Sequence, residues 1–131
     1  MSFLAKLTIE DVEMNVLECS FEFIQSIDSN GRPTGRPRGG LIHILIESTN
    51  STDFLAWMVS PGDYKDGEIV FYKRDIMSSN KTLHFTDAFC VGYLEQFDAE
   101  NSLPMRTKLT ISARAMGVNG SEYENPWESF H

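Results

Sequence analysis

Hydrophobic and polar residues alternate along most of this chain, and the alternation lasts longest towards its C-terminal end. From Thr82 to Asp98, the residues Leu83, Phe85, Phe89, Val91, Tyr93 and Phe97 are expected to share one face. From Pro104 to Val118, Met105, Leu109, Ile111, Ala113 and Ala115 take one side, and Arg106, Lys108, Thr110, Ser112 and Arg114 the other. A period of two residues marks a strand with one dry and one wet face. Strands commonly run about 5–6 residues, and these segments are far longer. Long strands coil, and a coiled antiparallel sheet tends to close on itself. The pattern predicts a mostly β fold, a small antiparallel β-barrel with long strands.

The rest of the chain fits that plan. Phe3 to Glu10 alternates, and a tight turn is expected at Asp11. In Val12 to Gln25 the phase slips after Val16, because Leu17, Cys19, Phe21 and Phe23 lie out of step with Val12, Met14 and Val16. One extra residue near Leu17, a β-bulge, produces such a slip. Leu41 to Ser48 is apolar on both faces and predicts cover on both sides. Asn50 to Ser60 is the one helix candidate, with Ser51 or Thr52 as cap, Pro61-Gly62 as stop and an apolar stripe of Phe54, Leu55, Trp57 and Met58. Asp66-Gly67 reads as a turn before a strand from Glu68 to Asp75, and Ser78 to Lys81 as the hairpin into the first long strand. Gly92, in mid-strand, marks a bend. The segment from Gly117 to His131 reads as a tail.

Between these elements, Ser26 to Gly40 is a long loop with the extended part over residues 28–40, carrying Arg32, Arg36 and Arg38 before Gly39-Gly40. Loops of this length in compact domains are usually functional or disordered. Composition sharpens the reading. The chain has 131 residues and a net charge of −8, so one domain over 1–131 is expected. Acidity disfavours nucleic acid and anionic membrane surfaces as partners. No apolar stretch is long enough to span a bilayer, and Met1 to Leu7 shows no secretory signal pattern. Cys19 and Cys90 read as buried thiols of a reducing compartment rather than a disulfide.

Candidate chemistry is sparse. His43 and His84 lie in strands without partners at metal-ligand spacing, although His84 and Cys90 fall on a common face if the phase holds. No nucleophile elbow, phosphate loop or Cys-x-x-Cys occurs. Asp87, on an apolar face, is expected to pair with an arginine or turn outward. Neither catalysis nor a cofactor or metal is expected. The basic loop on an acidic body instead suits contact between copies of the chain, and a head-to-tail contact that closes makes a ring.

Specific strings add to this. Asn15-Val-Leu-Glu-Cys-Ser20, Arg38-Gly-Gly40, Val70-Phe-Tyr-Lys-Arg-Asp75 and Leu109-Thr-Ile-Ser-Ala-Arg114 resemble the Hcp (TssD) tube proteins of type VI secretion systems, in their Bacteroidetes-type branch. The resemblance runs from Met1 to about Asn125. It implies a phage tail-tube-like barrel with one flanking helix, six-membered rings stacked into a hollow tube, and partners in a spike protein, a contractile sheath and small effectors. The tube would stand in the bacterial cytoplasm until contraction expels it into a target cell. On that reading Arg32, Arg36, Arg38, Gly39 and Gly40 are candidates for subunit or ring contacts. Arg106, Lys108 and Arg114, by their alternation, are candidates for the channel lining. A phage-like tail tube protein and a small ligand-binding barrel are the competing readings.

Overall fold

The computed structural model describes residues 3–48, 54–60, 62–73 and 78–127. Seven strands and one helix follow the chain as β1 (Phe3–Ile9), β2 (Val12–Phe21), β3 (Leu41–Glu47), α1 (Phe54–Val59), β4 (Lys65–Lys73), β5 (Ser78–Phe97), β6 (Met105–Val118) and β7 (Ser121–Glu124). The strands are hydrogen-bonded in the order β3-β2-β1-β4-β5-β6-β7, and β3 also pairs with β6. That last pairing closes β1 to β6 into an antiparallel barrel. Closure leaves no free edge among those six strands.

Local chemistry accounts for the joints. Ile9 pairs with Val12, so Glu10 and Asp11 alone make the first turn, both at positive φ (53° and 64°). Two left-handed residues match the twist of the strands they join. The slip in β2 is a bulge: the register with β3 shifts between Val16 and Glu18, as expected at Leu17. A second bulge lies between Cys90 and Gly92, where a bend is expected.

The interior is one apolar cluster. Ile42, Ile44 and Ile46 of β3 lie opposite Ile111, Leu109 and Thr107 of β6 in register, and Leu7, Ile69, Leu83 and Phe85 continue the layer round the barrel. The expected single face of β5 does not hold. Phe85 pairs with Met116 and Ala88 with Ala113, both pairs buried, so two residues separate the inward positions on each strand. The break falls at Asp87, whose φ is +52°. Beyond it the inward set is Ala88 and Cys90, with the half-buried Tyr93 also packed against the core, while Val91 and Phe97 are exposed and Phe89 packs against Tyr64 and Trp127. Hence His84 is exposed and Cys90 buried, and they share no face.

Three boundaries also move. Asp66-Gly67 is not a turn. Gly67 lies inside β4, opposite Ile9 and Phe85, and a Cβ there would sit 2.8 Å from the Thr8 carbonyl oxygen and against the Phe85 ring. The glycine permits a close approach of strands rather than a reversal. Ser78 to Lys81 belong to β5, so that strand is longer than expected. The expected tail contains β7, reached through Asn119-Gly120 at φ 50° and 93°. In β3 the outer face is only partly covered, with Leu45 buried but Leu41 half exposed.

The described part of α1, Phe54–Val59, lies within its sequence pattern, and the expected start at residues 50–53 and stop at 61 lie outside the described residues. It packs on β5 through Phe54 and Trp57, both in the core, while Leu55 and Met58 remain exposed. The Trp57 indole N–H donates to the Asp63 carbonyl at 3.0 Å, satisfying its polar edge.

Antiparallel register also sorts the connections to two ends. The 22–40 connection and the Asn119-Gly120 turn lie at one end. The Glu10-Asp11 turn, the end of β3, the start of β4 and the 98–104 loop lie at the other.

Candidate assembly surfaces

Residues 22–40 form an arm. Backbone bridges Ile24–Arg38 and Ile27–Pro33 fold it as a narrow hairpin. Asp28 shapes the tip, its carboxylate accepting from the Asn30 and Arg32 amides at 2.8 and 3.0 Å. Every residue from 22 to 38 is exposed, including Ile24 and Ile27. The Arg32 guanidinium meets no hydrogen-bond or ion-pair partner among the described residues. Arg36 donates to the Glu124 carbonyl at 3.2 Å, and Arg38 to the Ser26 hydroxyl at 3.0 Å.

The C-terminal segment holds the arm's base. Phe23 meets Tyr123 edge-on at 5.3 Å. The Asn125 amide donates to the Gly39 and Ala113 carbonyls at 3.3 and 2.8 Å, and Tyr123 donates to the Asn125 side-chain oxygen at 2.9 Å. Gly39 lies against the Phe23 ring, and Gly40 has φ +100° with Asn125 where a side chain would go. Both glycines thus serve the arm's root. Trp127 stacks near Phe89 at 5.9 Å, so the segment to residue 127 is seated on the barrel. Periodicity did not reveal this. Asn119-Gly120, the strongest short hairpin signal, could have found β7.

Arg106 and Lys108 share the outer face of β6. With Glu18, Ser20, His43 and Gln96 they surround a depression of about 430 Å³ floored by Leu45. The His43 ring accepts from or donates to Thr110 at 3.3 Å. The Arg106 Nε is buried without a hydrogen-bond partner among the described residues. Arg114 is placed differently: its Nε donates to Asp87 at 2.8 Å and its Nη1 bonds Glu124. The hydrogen bond to Asp87, then the nearby carboxylates, push the Arg114 pKa up. Asp87 is thus the arginine-paired carboxylate expected, and its amide donates to Asp66 at 2.8 Å.

Burial pushes the Cys19 thiol up to about 11, and burial also raises Cys90, partly opposed by its hydrogen bond to the Gly92 carbonyl. Both cysteines are free. Among the described residues no group of three or more His, Cys, Asp or Glu could hold a metal ion, and no helix is long and apolar enough to cross a membrane.

A closed six-strand barrel with long paired strands, one flanking helix and a projecting arm defines the class of tail-tube-like barrels. Comparison with known proteins sets the chain within that class. The family model for hemolysin coregulated protein Hcp (TssD) matches residues 1–128. The structure of Hcp1 from Flavobacterium johnsoniae is 39% identical, with a TM-score of 0.88 over 93% of this chain and 99% of that one. Hcp1 from Salmonella typhimurium shares the fold at 12% identity, with a TM-score of 0.74 over 94% and 92% of the two chains. The tube-terminating cap of the anti-feeding prophage does so at 15% identity, with a TM-score of 0.60 over 88% and 87%. A search of curated protein sequences returns no match. The chain belongs to the Hcp (TssD) family, the secreted tube proteins of type VI secretion systems, whose members form stacked rings.

Proposed function

We propose that six copies of this chain, each one domain over 1–131, close into a ring, and that rings stack into a tube. The tube is held in the bacterial cytoplasm within a contractile sheath, carries a spike at its tip and encloses small effectors. Firing expels it to the outside or into a target cell. Its work is geometric, transmitting thrust and enclosing cargo, rather than catalytic. One observation carries this reading: an arm exposed along its whole length, rooted by Gly39, Gly40 and Asn125 on a rigid barrel. An isolated monomer has no use for so much ordered, exposed surface, with Ile24 and Ile27 more than half exposed. Arg32, Arg36 and Arg38 would meet neighbouring copies. Arg106 and Lys108, on the outer face of β6 beside an open depression, would line the channel. Arg114, tied to Asp87 and Glu124, would contribute charge near the channel while bracing β7.

Negative-stain electron microscopy of the purified protein at high concentration tests the proposal. Rings with a central hole, single or stacked, are the expected result. Compact particles without a hole at every concentration would count against it. The packed interior, with Phe85 and Met116 filling the barrel, speaks against the ligand-binding reading.

A further inference from the structure

Glycine follows asparagine or aspartate at three places in the chain: Asn30-Gly31, Asp66-Gly67 and Asn119-Gly120. In such a pair the glycine backbone nitrogen can close a five-membered ring on the side-chain carbon of the preceding residue, because glycine has no Cβ to hinder the approach. Closure requires backbone and side chain to turn relative to each other, and the fold denies that freedom to two of the three pairs. Gly67 is built into β4 between Ile9 and Phe85, and the Asp66 carboxylate accepts from the Asp87 amide at 2.8 Å. Asn119 lies in the tight turn between β6 and β7 at φ 50°. Its side-chain oxygen accepts from the Thr82 amide at 2.9 Å, and its own amide donates to the Thr82 carbonyl at 3.1 Å. Asn30 differs. It stands at the exposed tip of the arm, and its carboxamide meets no hydrogen-bond partner among the described residues. A Cβ on Gly31 would find nothing within 4 Å. The Gly31 amide bonds to the Asp28 carbonyl at 3.0 Å, in a turn whose residues are all exposed. Exposed bonds of this kind open locally at little free energy.

We propose that Asn30 is a covalent modification site, at which the arm exchanges an amide for a carboxylate without an enzyme. The Gly31 nitrogen gives its proton to solvent and attacks Cγ of Asn30. The new N–Cγ bond forms as the Cγ–Nδ2 bond breaks, and the side-chain nitrogen takes up a proton and leaves as ammonia. Water then opens the cyclic imide. Attack at the former side-chain carbonyl gives aspartate, and attack at the backbone carbonyl gives isoaspartate, whose main chain runs on through the former side chain. In sum, amide and water become acid and ammonia, with no oxidant or reductant. Either product changes the arm's charge. Three arginines against Glu22 and Asp28 make +1, so one further carboxylate brings the arm to 0. Isoaspartate also inserts a methylene between the residue 30 and Arg32 amides, the two that the Asp28 carboxylate holds. The arm tip is thus the Asn-Gly site that changes as the protein ages, while the turn at Asn119 keeps its amide.

Peptide mapping by mass spectrometry tests this on the full chain, held folded in mildly alkaline buffer made with heavy-oxygen water. Heavy oxygen enters wherever an imide ring has opened, so it marks each converted residue, Asp66 included. Label at position 30 should accumulate about tenfold or more faster than at 119 or 66, the difference set by local opening of the tip. The same chain unfolded in urea should label Asn30 and Asn119 at similar rates, because the dipeptide is then all that counts. Label at 119 as fast as at 30 in the folded protein overturns the proposal. So does an unlabelled Asn30 at a time when the urea sample has converted. Asn30→Gln keeps the amide but lengthens the side chain past easy closure, and should abolish the label on the arm. Undiminished labelling between residues 28 and 32 in that variant would place the reaction at Asp28 and also overturn it. Charge gives a second readout. Aged protein and Asn30→Asp should both elute later from an anion exchanger than fresh protein. An aged sample labelled at 30 that elutes with the fresh protein would deny the change of charge.

Discussion

Single residues carry several distinct physical duties here. Trp57 is 2% exposed and fills the space between α1 and β5. Trp57→Ala should cost about 3–5 kcal/mol, measured as a shift in the urea midpoint at unchanged slope. Gly40 shows the opposite kind of dependence. Its φ is +100°, and a Cβ at this position would stand 2.8 Å from the Ala113 carbonyl oxygen, which leaves no room for a side chain. Gly40→Ala is expected to cost about 1–3 kcal/mol through backbone strain, whereas Gly35→Ala, in open space, should leave the melting temperature unchanged. Cys19 gives a pH dependence. Its thiol is neutral to about 11 in the folded chain against 9.0 ordinarily. The unfolded chain therefore loses the proton first as pH rises. Stability linked to Cys19 is full below pH 9, falls between 9 and 11 and is not regained above that range. Urea titrations at pH 8 and 10.5 should show the loss, and Cys19→Ala should flatten it.

At the scale of elements, the arm and the C-terminal segment form one unit. Asn125 bonds the arm's root to β6, Tyr123 backs Phe23, and Arg36 reaches the Glu124 carbonyl. Asn125→Ala removes both amide bonds. The expected outcome is faster hydrogen exchange at the amides of Ile24 and Arg38 with unchanged protection in β3 and β6. Equal loss of protection in the barrel would mean that Asn125 supports the core instead. Elements also show where the sequence was legible. The bulge at Leu17 announced itself because β2 is buried on one face and a phase slip is visible in its pattern. The phase break in β5 did not. Phe89, Val91 and Phe97 look inward by composition, but Asp87 adopts φ +52° and satisfies its amide on Asp66, a long-range choice that no local pattern encodes. β7 was legible in principle through Asn119-Gly120, and was hidden by the polar run Ser121 to Asn125 beside it.

For the whole molecule, charge is the variable that assembly should read. Arg36→Glu with Arg38→Glu should yield a soluble protein that melts like the native one yet forms no rings under the electron microscope. The Arg36 contact with Glu124 means that this pair also loosens the arm's root, so Arg32→Glu separates charge from anchoring. An unfolded double variant would instead make the arm part of the core.

The order of residues alone was enough for the class of fold, because period-two alternation over long segments leaves a chain few ways to bury one face other than a closed sheet. It was also enough to mark residues 26–40 as unusual, because glycine, proline and arginine at that density cannot be absorbed into a strand, although residues 22–25, read as strand, belong to the arm as well. The family followed from strings spread along the chain. Which residues those features serve was settled in three dimensions. Arg106 and Lys108 share an open face while Arg114 of the same alternating set is drawn into an ion pair, since Asp87 and Glu124 come to it from other strands. Asn125, distant in sequence from Gly39, roots the arm because β7 brings it there. Alternation records which way a side chain points; the partner waiting there is set by register and closure, which depend on the whole barrel at once.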